Sequence, residues 1–332
     1  MKHLLLLLIA LCLVFSGVAQ NNPVSQLSIS QKLPAELLKS RSVVVINVMQ
    51  GAGGQNSWEA VAKALHPGLR KAGIDAVAYY ELGNVLSGPD ATSGFLRDFQ
   101  QRDIQNIILV DKGSDITLTV APIGKKGLGL VDAGTAAWQT KAAAPADAAE
   151  ALYLAANAEK LHLSNFLIPE APELFYTTDN INIKKRFFSY PLDLKFDKLA
   201  VPRYAFMKTS SSDSLSALKS IMQLYPYEWG VTEPGTAEDV LRMKQGYPYV
   251  LLYLYTAQDN LRRFLTYAPN EESPLELQAG PDTGEPLYKF YIRHIPSGDV
   301  YAGSSWDASA DWQTALNNFL QGLRKEQAAN LK

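Results

Sequence analysis

Val43-Val44-Val45-Ile46-Asn47-Val48, followed by Trp58, Val61, Ala62, Leu65 and Leu69 at helical spacing, is the stretch on which the fold turns. A β-branched run without polar alternation is the pattern of a strand covered on both faces, which is how parallel sheets are buried. Asn56 or Ser57 can cap the helix that follows, and Gly73 stops it. A second strand, Ile74 to Tyr80, completes a βαβ unit, so the sequence predicts an α/β protein.

Outward from this unit, Phe95, Leu96 and Phe99 mark a short helix and Ile107-Ile108-Leu109-Val110 a third strand. Meander strands are expected at Ile116–Ile123 and Leu128–Ala133, and a closing helix at Ala146–Ala158. Residues 42–159 thus read as βαβαβββα. Residues 200–325 repeat that order: strand Tyr204–Met207, helices Asp213–Leu224 and Thr236–Met243, strand Tyr249–Tyr255, meander strands Leu261–Tyr267 and Leu287–His294, and helix Trp312–Leu323. The closest local agreement pairs Val131-Asp132-Ala133-Gly134-Thr135 with Val300-Tyr301-Ala302-Gly303-Ser304. The expectation is two tandem three-layer α/β sandwich domains, each with a mixed five-stranded sheet and its own core. Right-handed crossovers put the first three strands of each in the order 2-1-3.

Flanking segments complete the organisation. Met1, Lys2 and His3 precede an apolar run from Leu4 to Phe15, and Gly17 and Ala19 suit a signal peptidase acting before Gln20. Residues 1–19 are therefore expected to be a cleaved signal peptide, 20–41 a lead-in and 326–332 a tail, with the mature chain periplasmic or secreted. Ile9-Ala10-Leu11-Cys12 loosely resembles a lipidation box, but Leu11 is too bulky and Cys12 lies mid-run, which disfavours a lipoprotein. Cys12 is the only cysteine, so the exported chain forms no disulfide. No later stretch is expected to span a membrane.

The connector, residues 160–199, has three prolines but also Phe166, Leu167, Phe175, Phe187 and Phe188, too apolar a content for a floppy linker. It reads as a strap across both domains, with Phe166, Phe187 and Phe188 fixing their orientation. A binding arm beside Lys184-Lys185-Arg186 is the alternative.

The element order, the export signal, the tandem copies and the Ala133-Gly134-Thr135 and Ala302-Gly303-Ser304 turns resemble the small α/β domains of bacterial envelope proteins. These include the amino-terminal domain of the translocation protein TolB and related domains of curli-secretion and penicillin-binding-protein-activator lipoproteins. The resemblance implies a domain that binds other proteins and catalyses nothing. It is a likeness of fold, and function does not follow from fold alone.

The motifs exclude more than they assign. Basic residues number 31 and acidic residues 33, which leaves no footprint for nucleic acid. Gln50, Gly51, Gly53 and Gly54 lie between a buried strand and a helix start, where amides can hold an anion. Yet neither a dinucleotide fingerprint nor a P-loop is present. Asp111 and Lys112 fall on the same sheet edge, so these six residues form the candidate ligand site, beside the plainer reading of a flexible strand-to-helix turn and a polar turn. His66, His162 and His294 lack metal-ligand spacing, and no serine-hydrolase elbow occurs, so no catalytic residue, metal or cofactor is expected. Asp307 or Asp311 reads as a helix cap ahead of Trp312. In the second repeat, alternation puts Tyr249, Tyr253 and Tyr255 on one face of a strand. A polar-edged core is the plainer reading of these tyrosines; with Arg262, Lys289 and Arg293 they form the candidate interaction surface, for an envelope protein or a glycan. The function expected is an exported, non-enzymatic interaction module. The alternatives are a small-ligand or anion carrier using the Gly51–Gly54 loop, and an enzyme with an unrecognised site.

Overall fold

The computed structural model describes residues 23–48, 57–125, 129–178, 191–207, 213–265, 285–303 and 305–330. Val43, Val44, Val45 and Ile46 are all buried, with Val43 and Val45 facing one core and Val44 and Ile46 another. The first half of the chain comprises β1 (Ser28–Ser30), β2 (Arg41–Val48), α1 (Trp58–Lys71), β3 (Asp75–Glu81), the one-turn α2 (Leu82–Val85), α3 (Pro89–Gln101), β4 (Ile104–Lys112), β5 (Ile116–Pro122), β6 (Ala136–Ala142) and α4 (Pro145–Ala158). The second half comprises β7 (Leu199–Pro202), α5 (Asp213–Met222), β8 (Trp229–Thr232), a helical turn at Val240–Lys244, β9 (Tyr249–Ala257), α6 (Gln258–Leu265), β10 (Pro286–His294), β11 (Val300–Tyr301) and α7 (Trp312–Asn330).

The protein is mixed α/β with two mixed sheets. The first sheet runs β1-β6-β5-β4-β2-β3 and the second β11-β10-β9-β7-β8. In both, the first repeat strand is parallel to its two neighbours and the remaining repeat strands are antiparallel, giving the order 2-1-3-4-5 twice. The first sheet gains a sixth strand because Ser28–Ser30 of the lead-in pairs in parallel with β6.

Several boundaries differ from the sequence expectation. The fifth strand of the first sheet is Ala136–Ala142 rather than Leu128–Ala133; Leu130 and Val131 are apolar because they are buried in a turn, where Gly124 N donates to Leu130 O. The second repeat opens with Leu199–Pro202, and Ala205–Met207 is a single helical turn. Leu261–Leu265 belongs to a helix, not a meander strand: Leu261, Phe264 and Leu265 recur at three- and four-residue spacing on its buried side. Gly134 and Gly303 share left-handed backbones, φ +78° and +79°. Gly134 precedes the fifth strand of its sheet whereas Gly303 follows its counterpart, so the best local sequence match does not occupy equivalent places.

Helices layer the sheets in a common way. α1 and α4 cover the outer face of the first sheet, and α5 and α7 that of the second, each over a core of its own half. The inner faces do not have separate cores. Phe95, Leu96 and Phe99 of α3, with Val43 and Leu109 from the first sheet, join Val250, Leu252, Leu254, Phe264 and Tyr291 in one shared cluster.

The connector covers an edge of the first sheet. Tyr79 N donates to Glu173 O at 2.9 Å and Phe175 N to Tyr79 O at 3.0 Å, closing the outer side of β3. Ser164 N and Asn165 N both donate to Leu38 O. Phe166 does not pack across the repeats, being 80% exposed, and Leu167 is 94% exposed. Phe187, Phe188 and Lys184-Lys185-Arg186 lie outside the described residues, as does the expected signal peptide. Among the described residues no helix is long and apolar enough to cross a membrane.

Candidate functional site

At the carboxyl edge of the first sheet, register pairs Asn47 with Asp111 and Val48 with Lys112. The Asn47 amide donates to Asp111 Oδ1 at 2.8 Å, so the carboxylate is tied to the neighbouring strand. Gln50, Gly51, Gly53 and Gly54 lie outside the described residues. Next to this edge, Tyr176 of the connector donates to Glu59 at 3.3 Å, packs edge-on against Trp58 and carries the Arg263 guanidinium 4.0 Å above its ring. Burial raises the Glu81 carboxyl above its ordinary range, while the Asn260 amide, 3.2 Å away, pulls it back.

The tyrosines and cations expected to share a contact face are placed apart. Tyr249 is 2% exposed, and Tyr253 and Tyr255 are half-buried beneath Tyr204, Phe206 and Tyr288. Burial pushes the Tyr249 and Tyr253 phenols up to about 12, as befits rings that belong to the interior. Lys289 is 1% exposed. Its ammonium donates to Phe290 O, to Ala302 O just beyond β11, and to Asp307 Oδ2 at 2.9 Å. Asp307 is therefore the partner of a buried lysine, and Asp311 alone caps α7, accepting from Thr314 N at 2.8 Å. Arg262 lies on α6, paired with Asp259.

Each histidine of the described residues meets a hydrogen-bond partner. His66 is buried, with Nε2 3.0 Å from Pro169 O and Nδ1 2.6 Å from Tyr79 Oη. His294 meets Ser297 and His162 meets Ser164. Among the described residues no three His, Cys, Asp or Glu side chains are grouped to hold a metal ion.

Arg293 leads to a site that sequence reasoning missed. It is 7% exposed, and its guanidinium donates to Asp90 Oδ1 of α3 at 2.5 Å and to Glu238 in the second repeat. Asp90 and Arg293 are 203 residues apart in the chain and meet only because the inner faces share one core. They form the floor of a cleft of about 550 Å³ between the repeats, walled by Pro89, Pro202, Pro234 and Leu252 and rimmed by Glu233 and Asp239. A second hollow of about 620 Å³ adjoins it across Pro89, Ser93 and the 234–238 turn. Pro89-Asp90 at the start of a helix and Glu233-Pro234-Gly235-Thr236 as a turn were the available sequence signals, but neither reveals its partner. No family model, curated protein or solved structure matches this chain.

Proposed function

We propose that the chain is an exported, non-enzymatic interaction module of the cell envelope or its surroundings, and that its contact surface is the connector. The observation that carries this reading is the pair Phe166 and Leu167, 80% and 94% exposed on a segment anchored at both sides. Before the pair, Asn165 is held by Leu38 O, Ser40 O and Gly73 O; after it, Pro169 O is held by His66. A large aromatic and a leucine displayed on anchored backbone suit a partner's apolar pocket, because little conformational freedom is lost on contact. The element order of the small envelope domains supports the reading as an analogy of fold.

The test is site-specific photocrosslinking from position 166 in exporting cells, with position 154 as an exposed control. A discrete adduct with one envelope protein, lost in a Phe166→Ala/Leu167→Ala variant of unchanged melting temperature, is the expected result. Crosslinks no different from those at position 154 overturn it.

A further inference from the structure

We propose that Lys289 and Asp307 condense into an amide, a covalent brace within the second repeat that tethers β10 to the segment entering α7. Among the described residues only two ion pairs have both side chains nearly out of water: Lys289 with Asp307, 1% and 8% exposed, and Arg293 with Asp90. A guanidinium keeps its proton and is no nucleophile, whereas a buried lysine amine gives its proton up readily.

The contact aims the amine at the acid. Nζ lies 2.7 Å from Asp307 Oδ1 and 2.9 Å from Oδ2, so it sits against the carboxyl group as a whole. Two of its hydrogens are directed at backbone carbonyls that can only accept, Phe290 O at 2.9 Å and Ala302 O at 2.5 Å. A third position on the nitrogen faces Asp307. When that proton passes to the carboxylate, the lone pair takes its place and points at the acid. The Phe319 ring, 5.0 Å from Nζ, adds an apolar wall.

Burial favours the reaction. In water an amine and a carboxyl group are ions, and neutralising them opposes condensation; away from water the uncharged forms gain. Burial raises the Asp307 carboxyl above its ordinary range even against the pull of Lys289. Holding the two groups in contact also replaces a chance encounter with a high effective concentration.

The atoms balance without an oxidant or a co-reactant. One proton moves from Nζ to Asp307, the neutral Nζ attacks Cγ and the C–N bond forms. The bond from Cγ to the hydroxyl breaks, and the hydroxyl leaves as water with one of the two hydrogens still on Nζ. The amide keeps the other hydrogen for a backbone carbonyl. Its ends lie 18 residues apart in the chain. With Cys12 as the only cysteine, the protein has no internal disulfide to serve as such a brace.

The experiment is intact-mass spectrometry of the purified protein after storage at neutral pH, followed by proteolysis and fragmentation. The expected result is a mass one water below that of the sequence, with a branched peptide joining Lys289 to Asp307. A Lys289→Arg variant, which keeps the charge but has no amine to condense, should show the full mass of its sequence. The full sequence mass in the parent, or a missing water traced to any other residue, overturns the proposal. The parent's own mass decides the matter even where the variant fails to fold. Stability is the poorer readout, because changing both residues removes two buried charges together with the bond, whereas mass reads the bond alone. Phe166 and Leu167 take no part, so the brace stands or falls separately from the connector surface.

Discussion

Gly88 and Tyr253, one from each repeat, meet backbone to backbone: a Cβ built on Gly88 would lie 2.2 Å from the Tyr253 carbonyl oxygen. Beside them, Tyr255 N donates to Ser87 O at 2.6 Å. The contact arises because β7 is only four residues long and pairs with β9 at Tyr249 and Val250, leaving the far half of β9 with an open edge. The turn after α2 occupies that edge, so an unpaired row of strand amides is covered by the other repeat.

Gly88→Ala should therefore destabilise the protein by about 1–3 kcal/mol, because the added methyl must push backbone rather than a movable side chain. Gly322→Ala is the opposite case: nothing lies within 4 Å of the new Cβ, and a helix-interior glycine gives way to the best helix former. It should add about 0.5–1 kcal/mol. Urea denaturation of both variants checks the pair, and a Gly88→Ala protein as stable as the parent would remove the docking role assigned to that turn.

Lys289 and Asp307 are both buried, so removing one strands the charge of the other. Asp307→Ala should cost about 3–5 kcal/mol, whereas the double change Lys289→Met/Asp307→Leu should recover most of that loss. A double-mutant cycle by thermal or chemical denaturation measures the coupling. Additive losses would show that the pair does not act as a unit.

His66 is held in one tautomer. Pro169 O can only accept, so Nε2 carries the hydrogen, and in the neutral ring Nδ1 accepts from the Tyr79 hydroxyl. Tyr79→Phe leaves a buried acceptor unsatisfied and should cost about 1–3 kcal/mol. Nitrogen NMR shifts should report the Nε2–H form in the parent, and the variant's connector should be cut faster by protease near Pro169.

Glu81 makes stability depend on pH. Burial raises its carboxyl above the ordinary 4.5, with a smaller contribution from Glu59, against the pull of Asn260 and Arg263. A carboxyl raised in the folded state favours folding when protonated; that contribution is complete below its unfolded value and is lost as pH rises through the folded one. Glu81→Gln keeps an acceptor for Asn260 and removes the buried charge, so it should be more stable than the parent at neutral pH, with the difference vanishing below about 4.5. Melting temperatures across pH 3 to 8, on the order of the carboxylate range, check the trend. A variant that is less stable at neutral pH would contradict it.

Local pattern was enough for β2, α1, β3, β4 and the closing helices, since an unbroken apolar run, an alternation or a 3.6-residue repeat marks each of them. At Leu261–Leu265 the local pattern already favours a helix, since Leu261, Phe264 and Leu265 stand at three- and four-residue spacing across Arg262 and Arg263; the strand expected there went against it. For the tyrosines of β9 a polar-edged core was the plainer reading of the sequence, and the packing of Tyr204, Phe206 and Tyr288 on Tyr253 and Tyr255 agrees with it.

From the chain alone came the α/β class, the order of elements in the first half, and which strands need cover on both faces, because backbone geometry ties these to neighbours a few residues apart. What supplies that cover was settled in three dimensions. The joined inner faces, the burial of Lys289, and the meeting of Arg293 with Asp90 and Glu238 all depend on side chains far apart in sequence, whose charge or apolarity is stated by the residue while its partner is not.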